Sequence, residues 1–241
     1  MTRMESKLSE LVERLKSGAG DNLKAAVLYG SAVSGDFHEK HSDLNVLCIV
    51  QQAAAADLEH VHPVAEWWTR QGNPAPLVFT FDELVRSADV FAIELLDIKA
   101  HHRMLFGDDL FGHLEVPLHL HRLQVERELR TDWLRLRQAI LTAPRKRDVH
   151  LGIMLRSVSA FCALFRHALI ALGQPAAHSK GEAVDGIASL TGANPSAFHT
   201  ILDFRAGKRK EKEIDIESTL QTYLEFVEVV TNEVDRRLDV S

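Results

Sequence analysis

Leu8, Leu11, Val12 and Leu15 recur at helical spacing up to the breaker SGAGDN, which predicts a short amphipathic opening helix. The period then changes. Lys24 to Tyr29 reads as a strand ended by Gly30-Ser31, and after the polar interval GDFHEKHS the apolar, β-branched run Leu44 to Val50 reads as a second strand. The stretch AAAADLEHVHPVAEWWTRQ returns to helix as far as the loop around Pro74, with Pro63 blurring where it starts. Leu77 to Phe81 is a third strand, and Thr80 with Glu83 forms a capping box for the helix behind it. Val90 to His102 is predicted helical, and MLFG after it is a candidate edge strand.

From about Leu120 the pattern becomes long helices with no convincing strand. Val125, Leu129, Trp133, Leu136 and Ile140 line one face up to the break at Pro144. Leu151, Leu155, Val158, Cys162, Phe165, Leu169 and Leu172 line the next, with Phe161 and Leu164 adding a second apolar face. That helix is expected to be the most buried member of a bundle. Ser179 with Glu182, and Asn194 followed by Pro195, mark two further helix starts, and Leu220 to Leu238 a long final helix.

Hydrophobic residues make up 46% of the 241 and charged residues 26%, which suits a folded globular chain and excludes wholesale disorder. Lys and Arg number 28 against 34 Asp and Glu, so no global cationic field recruits nucleic acid. The basic runs at Arg145–Arg147 and Lys208–Lys212 read as solvated loops. Cys48 and Cys162 sit in apolar runs, where a reduced core thiol is the default. The amphipathic, acid-bearing N-terminus is unlike a signal peptide, and no apolar stretch approaches the ~20 residues needed to span a membrane. A cytoplasmic protein is expected.

The segment LYGSAVSGDFHEKHSDLNVLCIV carries the most chemistry. Glycine lets a backbone approach phosphate closely, and a serine hydroxyl beside free N–H groups can hold the terminal phosphates of a nucleoside triphosphate. Alternate strand residues share a face, so Asp43 and Asn45 project together. Strand, Gly30-Ser31, polar interval, then Asp43-Leu44-Asn45 opening a second strand resembles the nucleotidyltransferase superfamily pattern, with residues 24 to 106 matching in arrangement.

The change of pattern alone places a boundary near residues 110 to 120, and with the resemblance it implies an α+β architecture: a mixed-sheet nucleotidyltransferase-like domain over residues 1–115, then an all-α bundle over 116–241, with a ligand cleft between them. Helical tails of this kind follow the domain in small-molecule adenylyltransferases such as the aminoglycoside-modifying enzymes. It further implies transfer of a nucleoside monophosphate, adenylyl above all, from ATP or another triphosphate to a small-molecule hydroxyl, with Mg²⁺ or Mn²⁺. Gly30 and Ser31 would bind phosphate, and Asp43 and Asn45 would form the catalytic pair, with Asp43 holding the metal.

The family pattern has two carboxylates on that strand and a third on a neighbouring one. Here position 45 is Asn, which lends a carbonyl oxygen without charge, and LVFTF has no acid. Asp82, just past that strand, is the nearest stand-in as a metal ligand, with Glu94 and Asp97 further along. These departures support a second reading, a catalytically inactive nucleotide-binding or protein-interaction module, including an antitoxin-like partner of a helical toxin. His60-x-His62, His101-His102 and His119-x-His121 lack companions at zinc-site spacing and read as surface or partly buried histidines. His38 and His41 lie in the loop before Asp43 and read as solvated. An exposed apolar stripe on the last helix would permit a homodimer.

Overall fold

The computed structural model describes residues 2–33 and 43–239. The chain divides into two compact units, Met1–Leu118 and His119–Ser241.

In the first unit, α1 (Arg3–Ala19) starts where the Thr2 hydroxyl accepts the Glu5 N–H, and it buries Leu8, Leu11 and Leu15. A four-stranded sheet follows, built from β1 (Leu23–Tyr29), β2 (Asn45–Val50), β3 (Leu77–Thr80) and β4 (His102–Gly107) in the order β3-β2-β1-β4. β1 runs antiparallel to β2 and β4, while β2 and β3 are parallel. A parallel pair needs a long crossover, and α2 (Ala55–Arg70) supplies it. α3 (Phe81–Arg86) and α4 (Ala92–Ala100) lie between β3 and β4.

Both faces of the sheet are covered. Ala26, Leu28, Val46 and Cys48 point to one side, where Leu8, Leu11, Leu15, Val64 and the fully buried Trp68 meet them. Ala25, Val27, Leu47 and Ile49 point to the other, against Leu84, Leu95, Ile98, Phe111 and Leu114. Two-sided burial explains why β2 reads as a continuous apolar run. It also pushes the Cys48 thiol up to about 12, as expected of an inert core cysteine.

At the end of edge strand β4, Gly107 adopts φ 77°, and a Cβ there would collide with the Lys24 carbonyl of β1. Gly107→Ala is expected to destabilise this unit by about 2 to 3 kcal/mol, summing left-handed strain and the shift forced on β1. A urea midpoint that does not move would mean that the strand end yields freely.

The second unit consists of α5 (His121–Thr142), α6 (Arg147–Ala171), α7 (Lys180–Thr191), α8 (Ser196–Arg205) and α9 (Ile216–Asp239). α6 packs against the other four, and Phe161 and Phe165 from it join Phe198, Tyr223 and Phe226 in one buried aromatic cluster. By length and composition α6 could cross a membrane, contrary to the sequence expectation; its central place in the bundle accounts for its apolar character. His121, expected at or near the surface, is instead buried, its Nε2 3.0 Å from Nδ1 of the equally buried His167. The shared hydrogen bond offsets part of the cost of burying two imidazoles.

Candidate functional site

β1 leaves the sheet through glycine. Tyr29 is still extended, Gly30 turns to φ 78°, and Gly30–Ala32 form a single 3-10 turn closed by the Val33 N–H on the Gly30 carbonyl at 3.0 Å. Tyr29 pairs with Asn45, so Gly30 emerges beside the first residue of β2. A Cβ on Gly30 would lie 3.0 Å from the Asn45 amide nitrogen. The bare glycine and the Asn45 side chain therefore occupy one another's space, and any larger residue at position 30 would displace the amide.

Asp43 and Asn45 flank the buried Leu44; Asp43 is exposed and Asn45 half-buried. β3 begins opposite Leu47, too late to pair with this segment. The Leu44 N–H instead donates to Asn73 Oδ1 at 3.2 Å, from the loop before β3. Ser31 belongs to the 3-10 turn beside them, while His38 and His41 lie outside the described residues.

Asp82 does not join this group, and its assignment as a metal ligand is corrected. β2 and β3 run the same way, with Val50 opposite Thr80, so Asp82 opens α3 at the far end of the sheet. The five strand steps from Asn45 to Val50 alone span roughly 17 Å, far beyond metal-ligand reach. At that end Asp82 lines a cavity of about 440 Å³ with Lys24, Gln51 and Asp108.

Glu94 lies near enough to Tyr29, the residue before Gly30, for its charge to act on the phenol. Burial raises the pKa of the Tyr29 phenol, and the nearby Glu94 charge on α4 raises it further. Tyr29 also pairs with His102 of β4, so Asn45, Tyr29 and His102 form a polar row across three strands at the site end of the sheet. A carbonyl only accepts, so His102 Nδ1 donates to Ile98 O at 2.9 Å, while Nε2 lies 3.2 Å from Asp109 Oδ1. These contacts make His102 a tie between β4, α4 and the following loop.

Partial desolvation pushes the Asp109 carboxyl upward, but the Phe111 N–H, the His102 charge and the Gly112 N–H outweigh it and hold the group below its ordinary value. A depressed carboxylate contributes stability above its unfolded value of about 3.9, and that contribution is lost as pH falls through the lower folded value. Thermal melts below about pH 4 should therefore fall less steeply for Asp109→Asn than for wild type. Parallel acid limbs would remove Asp109 from the account.

Among the described residues, no group of three or more His, Cys, Asp or Glu is arranged to hold a metal ion. Sequence reasoning missed Tyr29, Asn73 and ranked Glu94 low. Only Tyr29 carried a signal, as the last strand residue before Gly30.

No protein-family model matches the chain, and no curated protein matches it. Among solved structures it is similar to spectinomycin adenyltransferase AAD(9) from Enterococcus faecialis, crystallised with ATP and spectinomycin. The likeness covers 97% of this chain and 99% of that one, with a TM-score of 0.54 and 14% identity. At that identity it is a likeness of fold: a nucleotidyltransferase-fold mixed sheet with flanking helices, followed by an all-helical unit.

Proposed function

We propose that the chain binds a nucleoside triphosphate at the Gly30 turn and transfers its nucleoside monophosphate to a small-molecule hydroxyl. The observation that carries this reading is the meeting of Gly30 with Asn45, two residues beyond the exposed Asp43, at one end of a sheet whose fold is that of an adenyltransferase. Gly30 admits phosphate oxygens to the backbone of the 3-10 turn, which a side chain would block. Asp43 and the Asn45 carbonyl offer few protein oxygens, which suits a single Mg²⁺ that keeps waters and substrate phosphates as its remaining ligands. Such an ion, when bound, neutralises charge on the phosphates. Titration calorimetry with ATP, GTP, CTP and UTP, each with and without Mg²⁺, tests the reading. Failure of all four to bind ends it.

The neutral Asn45 and the lack of a carboxylate on β3 favour a second reading, a module that binds nucleotide without turning it over. Asn45→Asp separates the two. The added carboxylate is expected to tighten Mg²⁺-dependent triphosphate binding about tenfold, the scale of one charge-assisted contact. An active wild type shows transfer before the substitution, whereas a binding-only module shows none and gains only affinity.

A further inference from the structure

We infer that Asn73 is a positioning residue that holds Asp43 where the proposed metal-bound triphosphate needs it, an inference resting on the functional reading above. Asp43 lies outside β2, whose ladder with β1 ends at Asn45. Among the described residues, no strand of the sheet pairs with its backbone. The adjoining tether is the 3.2 Å bond from the Leu44 N–H to Asn73 Oδ1, which supplies the acceptor that β3 begins too late to provide.

The same side chain carries a second, independent mark. Among the described residues, Asn73 Nδ2 is buried and has no hydrogen-bond partner, although buried polar groups are nearly always paired. An amide that leaves one end unsatisfied costs stability, so local packing alone does not account for it. Aspartate at position 73 would accept the Leu44 N–H equally well and leave no orphaned donor. It would also place a second negative charge one residue from Asp43. Asparagine thus serves as a neutral acceptor: it orients the segment without competing with Asp43 for the metal.

The full-length Asn73→Ala variant tests this by two readouts. Hydrogen exchange at the Leu44 amide should accelerate at least about tenfold while Val46 to Val50 keep their protection, since only the tether is lost. In calorimetry, the Kd for ATP with Mg²⁺ should rise at least about fivefold and that for ATP with EDTA stay within about twofold, the scale of one hydrogen bond acting through Asp43. Asn73→Asp, which retains an acceptor, should restore Leu44 protection. Unchanged Leu44 exchange in Asn73→Ala overturns the tether. Equal loss of both affinities with a lowered melting midpoint overturns the positioning role in favour of a general structural one. A wild type that binds no triphosphate overturns the functional reading itself, a failure seen before any Asn73 variant is made.

Discussion

Asp43→Ala is expected to weaken Mg²⁺-dependent triphosphate binding by about 10- to 100-fold, equivalent to the roughly 1.5 to 3 kcal/mol of a charge-assisted contact. Asp43 is the acid at the Gly30 end of β2, and position 45, the second place of the motif, carries only an amide. With no second carboxylate on that strand to compensate, the loss should fall on the metal-dependent part of the affinity. Binding measured in EDTA, which the proposal assigns to the turn at Gly30–Ala32, should change far less. Because Asp43 is exposed, the melting midpoint should stay close to wild type, within the roughly 0.5 kcal/mol usual for a surface substitution. Equal affinities for wild type and variant would remove Asp43 from the site. A large drop in stability would assign it a structural duty instead.

Phe198→Ala should have the largest effect on stability, about 3 to 5 kcal/mol in the second unit. The Phe198 ring is fully buried and stacks on Tyr223 with centroids 4.2 Å apart, while Phe226 and Phe165 lie at 4.8 and 5.2 Å. It is the hub through which α8 is joined to α6 and α9. Removing it forfeits the transfer energy of the ring and leaves a cavity walled by other rings. Those rings are themselves constrained: Tyr223 is held by a 2.9 Å hydrogen bond to Ser157, so the cavity cannot close easily. Urea unfolding followed by far-ultraviolet circular dichroism reads the loss. Phe198→Leu should cost less than half as much, because a buried side chain still fills part of the volume. A cost below about 1.5 kcal/mol for alanine would show that the cluster repacks.

Much of this architecture was legible along the chain. The change from the short apolar strand runs such as Lys24 to Tyr29 to the helical spacing beyond Leu120 marked a sheet unit followed by a helical one. The Thr80–Glu83 box formed as expected, with Glu83 Oε2 accepting the Thr80 N–H at 2.8 Å and Thr80 Oγ1 accepting the Glu83 N–H at 3.2 Å. Ser179 likewise caps α7 through the Glu182 N–H. At Asn194 the side chain accepts the Ser196 N–H, although the helix proper starts one residue later than expected. Such signals are local: each concerns groups three or four residues apart, and the chain carries both members together.

Amphipathic periods, caps, the buried character of α6 and the Gly30-Ser31 break were therefore determined by the sequence alone, because each follows from how near neighbours satisfy backbone groups and share a face. Strand direction is different. An apolar run reads the same whether its strand pairs parallel or antiparallel, so nothing local said that β2 and β3 run together and carry Asp82 to the wrong end of the sheet. Only the tertiary structure sets the Asn45 amide over Gly30, brings Glu94 toward Tyr29, and lets Asn73 reach back 29 residues to Leu44. These contacts depend on how separate elements pack, and packing is decided by the burial of whole faces rather than by any residue's neighbours in the chain.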